Sequence, residues 1–193
     1  MKSPKTYSRT ICIPAHNESK TIYSVVRALQ EAIDSRSDFD CDVMVVDDRS
    51  SDQTGMIAAE TGATVVSTES LCRKFGGSSG KGDAIYASLV SCRTDLMAWV
   101  DGDLAQMDAE RVLHMFDPLE KDSRIQLVKG SFQRWSNGSV GEEGRVTALT
   151  ARPLLELLHP TFNSLSQPLS GLFAARRSVV GNLWLDFDYG VDI

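Results

Sequence analysis

Leu96-Met97-Ala98-Trp99-Val100-Asp101-Gly102-Asp103 is the stretch that decides how this chain is read. Its apolar run predicts a buried strand, and the strand stops on two carboxylates one residue apart. Alternation along an extended chain can aim both carboxylates around one cation, and the glycine between them leaves room. Hard divalent cations take such oxygen ligands and bridge them to substrate phosphates. The same tripeptide also suits a solvated turn, since Asp-Gly is a common turn pair.

Working outward from this strand, the pattern alternates strand and helix. Strands are predicted at Thr10 to Pro14, Asp42 to Asp47, Ala63 to Ser67, Leu96 to Val100 and Gln126 to Phe132. Helices are predicted at Ser19 to Ile33, Thr54 to Thr61, Lys81 to Cys92 and Ala109 to Leu119. Val25, Val26, Leu29 and Ile33 share one face of the first helix, and Gly62 is placed to stop the second. Ser70 to Gly80 reads as a Gly- and Ser-rich loop, and Gln133 to Gly144 as a polar, mobile one. Arg145 to Leu158 is helical in pattern, with Pro153 set to kink or divide it. Leu169 to Arg176 reads as a further strand. Asp186 to Ile193 is too short to place.

This alternation predicts an α/β sandwich with a mainly parallel central sheet flanked by helices. Ligands of such sheets bind beyond the carboxyl ends of the strands. Pro14, Asp47-Asp48 and Asp101 to Asp103 all fall at such ends.

The 193 residues suffice for one domain with a real core. Hydrophobic residues make up 42% and charged residues 24%, an ordinary soluble composition. A net charge of -6 argues against a nucleic-acid or anionic-membrane surface. No apolar stretch approaches a membrane span, and Met1 to Arg9 lacks the apolar core of a signal peptide. Cys12, Cys41, Cys72 and Cys92 are scattered, which suits reduced thiols in a cytoplasmic protein better than disulfides or zinc ligands. His16, His114 and His159 have no metal-ligand spacing, and His114 is placed on a helix surface.

Three segments in order, Ile13-Pro14-Ala15-His16-Asn17-Glu18, Val45-Val46-Asp47-Asp48-Arg49-Ser50-Ser51-Asp52 and Val100-Asp101-Gly102-Asp103, resemble nucleotide-sugar glycosyltransferases of the GT-A fold, family 2 type. Further segments resemble the glucosyl-3-phosphoglycerate synthases and the similar mannosyl-3-phosphoglycerate synthases. They are Gly80-Lys81-Gly82-Asp83-Ala84, Leu127 to Phe132, Gly144-Arg145-Val146-Thr147, Arg152 to Leu155, Gln167-Pro168-Leu169-Ser170-Gly171 and Asp188-Tyr189-Gly190-Val191-Asp192. The resemblance runs from about Ile11 to the last residue.

The resemblance implies a single GT-A-like domain, with a nucleotide-sugar part over 10–132 and an acceptor part over 133–193. It implies transfer of a hexose from a nucleotide diphosphate to 3-phosphoglycerate with retention at the anomeric carbon. Pro14, Ala15, His16 and Glu18 would line the nucleoside pocket. Asp48 would accept from the base, and Asp101, with Gly102 beside it, would serve the ribose. Lys81 would bind the donor, and Asp103 would ligate Mg²⁺ or Mn²⁺. Gly144, Arg145, Val146 and Thr147 would hold the acceptor's phosphate, as anion donors near a helix start. Tyr189 and Asp192 would approach the sugar. From spacing alone, Lys81 and Arg145 equally suit solvated helix residues, Tyr189 a packed aromatic and Asp192 a surface carboxylate.

His16 stands where the synthases commonly carry an aliphatic residue, Asp48-Arg49 where they carry smaller ones, and Asp192 where they carry Glu. The synthases also continue past this point into a helical region with a metal-ligating His, so the chain reads as truncated, with weakened metal and donor binding expected. The leading expectation is a UDP-glucose-dependent glucosyltransferase. GDP-mannose as donor, a family 2 transferase acting on a polyprenyl phosphate or polysaccharide, and a non-catalytic sugar-nucleotide binder are the alternatives. A homodimer is a further expectation from the resemblance.

Overall fold

A computed structural model of the chain describes residues 6–72, 80–104, 108–131, 135–136, 139–140, 146–162, 164–183 and 185, with backbone alone at 72, 135–136 and 139–140. The first strand, β1 (Arg9–Ala15), leads to helix α1 (Ile22–Asp34). Then come β2 (Asp42–Asp47), α2 (Thr54–Glu60), β3 (Thr64–Ser67), α3 (Thr68–Cys72), α4 (Lys81–Ser91) and β4 (Leu96–Trp99). The remainder holds α5 (Ala109–His114), α6 (Phe116–Lys121), β5 (Leu127–Lys129), β6 (Trp135–Ser136) and β7 (Ser139–Val140). A π-helix (Thr147–Ala151), α7 (Arg152–Leu158), a 3-10 turn (Pro160–Phe162), β8 (Phe173–Arg176) and α8 (Arg177–Val180) follow.

The main sheet is six-stranded, in the order β3-β2-β1-β4-β8-β5. Strands β3, β2, β1 and β4 run parallel, and β8 enters antiparallel between β4 and β5. The register sets the site. Ala15 pairs with Asp47, and Cys12 with Trp99, so the carboxyl ends of β1, β2 and β4 finish side by side.

Period-two alternation divides the strands between two apolar layers. Ile11, Ile13, Val43 and Val45 pack with Val25, Val26 and Leu29 of α1 and with Val112, Leu113, Phe116 and Leu119 of α5 and α6. Cys12, Met44, Val46 and Trp99 face the other way, onto Ala84, Ile85 and Leu89 of α4 and Val180 of α8. Trp99 is fully buried and stacks on Phe173 with ring centroids 4.7 Å apart. Its indole N–H donates to Ser88 Oγ at 3.0 Å, so the one polar atom of that ring is satisfied.

Several predicted elements differ in the structure. The helix predicted over 109–119 divides at Met115, because Pro118 has no N–H to offer the His114 carbonyl and its ring crowds that turn. Pro153 acts as expected. The wide π turn, in which the Arg152 N–H reaches back to the Thr147 carbonyl, precedes it, and α7 starts around it. The predicted loop from Ser70 begins inside helix α3, and residues 73–79 lie outside the described ones. The polar stretch 133–144, expected as a loop, contains the antiparallel pair β6-β7. Asn137-Gly138 between them is a hairpin signal. The strands predicted at 126–132 and 169–176 shorten to Leu127–Lys129 and Phe173–Arg176. Gly62 follows α2 with φ 82°, the stop expected there.

Cys12, Cys41 and Cys92 are free thiols. Burial pushes the Cys12 thiol far above its usual range and the Cys41 thiol up to about 12, which makes both poor nucleophiles. His114 is exposed on α5, as expected. Among the described residues no helix is long and apolar enough to cross a membrane.

Candidate active site

A cleft of about 370 Å³ opens at the carboxyl edge of the sheet. Pro14, Ala15, His16 and Glu18 enter it from the end of β1, and Asp48 from the end of β2. Lys81 and Ala84 come from the start of α4, Asp101, Gly102 and Asp103 from the turn after β4, and Leu169, Ser170 and Gly171 from the approach to β8. The register explains the convergence, because β4 runs alongside β1 and carries Gly102 against Pro14. A Cβ added at Gly102 would lie 3.3 Å from the Pro14 carbonyl oxygen, so the glycine permits the approach.

The loop after β1 is set by an ordered chain of hydrogen bonds. Asn17 sits in the left-handed region at φ 59°, and its Oδ1 accepts from the Ser51 N–H at 2.8 Å. That contact turns the Asn17 amide N–H₂ toward His16 Nε2, 3.0 Å away. His16 Nε2 must then accept, so Nδ1 carries the proton and donates to the Asp48 carbonyl at 2.6 Å. Glu18 is positioned by its backbone N–H, which donates to Thr54 Oγ1 at 2.8 Å. Asp52 closes this contact, accepting from the Thr54 hydroxyl and N–H and from the Ser19 N–H. Those donors, the Thr54 hydroxyl foremost, hold the Asp52 carboxyl well below the usual carboxylate range.

A second network lies beneath the cleft. Arg49, at φ 55°, donates to Asp48 Oδ1 at 2.7 Å and to Asp83 Oδ2 at 3.1 Å. Asp83 is only 2% exposed, in the first turn of α4. Thr68 Oγ1 donates to the same Asp48 oxygen at 2.7 Å. A left-handed non-glycine residue costs on the order of 1–2 kcal/mol. Here the cost is offset by pairing with two buried carboxylates.

At the far wall Lys81 Nζ donates to Asp101 Oδ1 at 2.7 Å. Gly171 lies against this pair. A Cβ there would fall 2.1 Å from Lys81 Nζ and 2.4 and 2.5 Å from the Asp101 oxygens.

Among the described residues no group of three or more His, Cys, Asp or Glu side chains forms a metal cage. Asp103 is an exposed carboxylate on the cleft, with Asp101 two residues away on Lys81. An oxygen-only set this sparse fits Mg²⁺ or Mn²⁺ held partly by water and substrate phosphates, and does not fit a structural zinc site.

Residues 10–183 match the family described as glycosyl transferase family 2. The chain belongs to this family. The glucosyl-3-phosphoglycerate synthase of Mycolicibacterium smegmatis is 35% identical over 196 residues, covering 100% of this chain and 63% of that protein. The crystal structure of the Mycobacterium tuberculosis glucosyl-3-phosphoglycerate synthase with Mn²⁺, UDP and phosphoglyceric acid has a TM-score of 0.85 at 36% identity, covering 97% of this chain and 62% of that one. The same enzyme with Mg²⁺ and UDP has a TM-score of 0.83 at 34% identity, covering 97% and 62%. This chain thus spans somewhat under two thirds of the length of these relatives. The mixed, mainly parallel sheet of this family 2 chain is that of the GT-A synthases.

The structure brings Pro14, Ala15, His16, Glu18, Asp48, Lys81, Asp101, Gly102 and Asp103 into one cleft. Val146 is exposed and Thr147 half-buried at the start of the π-helix, and neither is among the residues lining this cleft. Gly144, Arg145, Tyr189 and Asp192 lie outside the described residues. Ala84, Leu169, Ser170 and Gly171 line the cleft although the sequence analysis gives them no role, and Arg49 supports it. For Gly171 the signal was present in the Gln167-Pro168-Leu169-Ser170-Gly171 segment. Arg49 also lies in a segment that carries the resemblance, but the left-handed backbone through which it acts is not written in the sequence.

Proposed function

We propose that this family 2 glycosyltransferase moves glucose from UDP-glucose to 3-phosphoglycerate, giving glucosyl-3-phosphoglycerate with retention at the anomeric carbon. One observation carries the reading. Carboxylates from the ends of β2 and β4 and a lysine from α4 meet in a single cleft large enough for part of a nucleotide sugar. Support comes from relatives 35% identical to this chain over the aligned residues, one of them crystallised with Mn²⁺, UDP-glucose and phosphoglyceric acid.

In this reading Pro14, Ala15, His16 and Glu18 enclose the nucleoside. Asp48 accepts from the base and Asp101 from the ribose hydroxyls, while Lys81 supplies positive charge to the donor. Gly144 to Thr147 hold the acceptor's phosphate, and Tyr189 and Asp192 approach the hexose. Asp103 is the residue that would hold the divalent cation, whose chemistry when bound is to neutralise the departing diphosphate. The protein's own contribution is to orient the acceptor hydroxyl on the face from which the diphosphate leaves. The leaving phosphate oxygen accepts the acceptor proton, so no protein nucleophile takes part.

The test is a transfer assay with UDP-glucose, Mg²⁺ and 3-phosphoglycerate, read by NMR at the anomeric proton. The proposal expects glucosyl-3-phosphoglycerate with the donor's anomeric configuration, and little product from GDP-mannose. An inverted product, a trapped glycosyl-protein intermediate, or mannosyl transfer in preference would refute it.

A further inference from the structure

The base-reading end of the cleft contains an asymmetry that the role given to Asp48 does not use. Asp48 is 8% exposed and lines the cleft. Both of its hydrogen-bond donors among the described residues, Arg49 Nη1 and Thr68 Oγ1, converge on the same atom, Oδ1, each at 2.7 Å. Neither donor is free to drift. Arg49 is anchored on the buried Asp83, and Thr68 is fully buried at the start of α3. Among the described residues Oδ2 accepts no hydrogen bond. A buried acceptor left without a partner is costly and therefore selects for a donor.

We infer that Asp48 is held as a single-acceptor reader, with Oδ1 fixed to the protein and Oδ2 left for one N–H of the base, and that Arg49 and Thr68 are the positioning residues that set this. The inference rests on the proposed nucleotide-sugar reading and deepens it to the choice of base. A uracil edge offers one N–H between two carbonyls, which matches one acceptor. A free carboxylate would offer two, the match for the paired N–H donors of guanine. Locking Oδ1 removes the second acceptor and so turns the site toward uracil by leaving a guanine donor unpaired.

The lock makes a prediction that simple contact does not. In Asp48→Asn the amide oxygen must take the Oδ1 position, because Arg49 and Thr68 both donate there. The amide N–H₂ then occupies the Oδ2 position and presents a donor to the base. A donor opposes the N–H of uracil and suits the ring acceptor of cytosine. The variant should therefore exchange its nucleotide preference rather than lose affinity evenly.

The experiment titrates UDP, CDP and GDP, each with Mg²⁺, into the wild-type chain and into Asp48→Asn by calorimetry. The wild type should favour UDP over GDP. In the variant UDP affinity should fall by about 10–100-fold, the effect of an unmatched buried polar group, while CDP weakens less or tightens. In Asp48→Asn with Thr68→Val, one orienting donor is gone, and UDP binding should recover several-fold relative to the single variant. Retention of the UDP preference in Asp48→Asn, or an equal loss for UDP and CDP, overturns the inference while leaving the donor reading standing. Failure of the wild type to bind any of the three overturns both. Should far-UV circular dichroism show Asp48→Asn unfolded, Thr68→Val alone carries the test. Loosening Oδ1 should then narrow the UDP-over-GDP ratio at least about threefold, and an unchanged ratio overturns the inference.

Discussion

Replacing Gly171 by Ala separates the folding of this protein from ligand binding in its cleft. The new Cβ would stand 2.1 Å from Lys81 Nζ and 2.4 Å from Asp101 Oδ1, more than about 1 Å inside van der Waals contact. Asp101 has a short side chain, so the lysine and the carboxylate cannot both retreat and keep their 2.7 Å bond. A hydrogen bond between charged groups contributes roughly 1.5–3 kcal/mol. With the Asp101 side chain 29% exposed, part of that returns through solvation, leaving a loss on the order of 1–2 kcal/mol. The substitution also restricts the unfolded chain, which restores about 0.4–1 kcal/mol. Net stability should therefore fall by between about 0 and about 1.6 kcal/mol. The displaced side chains, however, would enter the space that the proposed function gives to the donor. UDP-glucose affinity should fall at least tenfold, which corresponds to about 1.4 kcal/mol. Urea denaturation and calorimetric titration with UDP-glucose and Mg²⁺ read the two quantities separately. Wild-type affinity in a folded Gly171→Ala variant would refute the assignment of this wall to the donor.

Asp103→Ala removes an exposed carboxylate, so stability should stay within about 0.5 kcal/mol of wild type, while the Mg²⁺ dependence of donor binding disappears on titration with and without the metal. Trp99→Ala empties the fully buried site stacked on Phe173 and should cost about 3–5 kcal/mol in denaturant unfolding, with the cleft affected only through unfolding. Asp52 carries a depressed pKa, so its carboxylate stabilises the fold above the ordinary value near 3.8, and this contribution fades as pH falls through the folded value below it. The stability difference between wild type and Asp52→Asn should accordingly be constant near neutrality and shrink once the pH drops under about 3.8, measured by thermal melts across an acid series.

The left half of the sheet was legible because each strand is a short apolar run bounded by turn residues, and parallel order follows from the alternating helices. The expected bounds match β2 to the residue, and β1 and β4 to within a residue at either end. The insertion of β8 between β4 and β5 was not legible, because it pairs segments far apart in the chain and depends on contacts no local pattern encodes. Pro118 carried the break between α5 and α6 in plain sight, but the apolar periodicity of Val112, Leu113, Phe116 and Leu119 runs through it and hides it. For the site, Asp48, Asp101 and Asp103 were legible from their position at strand ends. Gly171 and Arg49 were not assigned, since one acts by having no side chain and the other by a backbone angle.

The proposed function requires that the cleft at the carboxyl edge of the sheet bind a uridine diphosphate sugar through a divalent cation. Calorimetric titration of UDP-glucose and GDP-mannose into the chain, with and without Mg²⁺, tests it most directly. UDP-glucose should bind one saturable site that needs Mg²⁺, at least tenfold more tightly than GDP-mannose. Equal binding of both nucleotides, tighter binding of GDP-mannose, or binding of UDP-glucose that ignores the metal would contradict it.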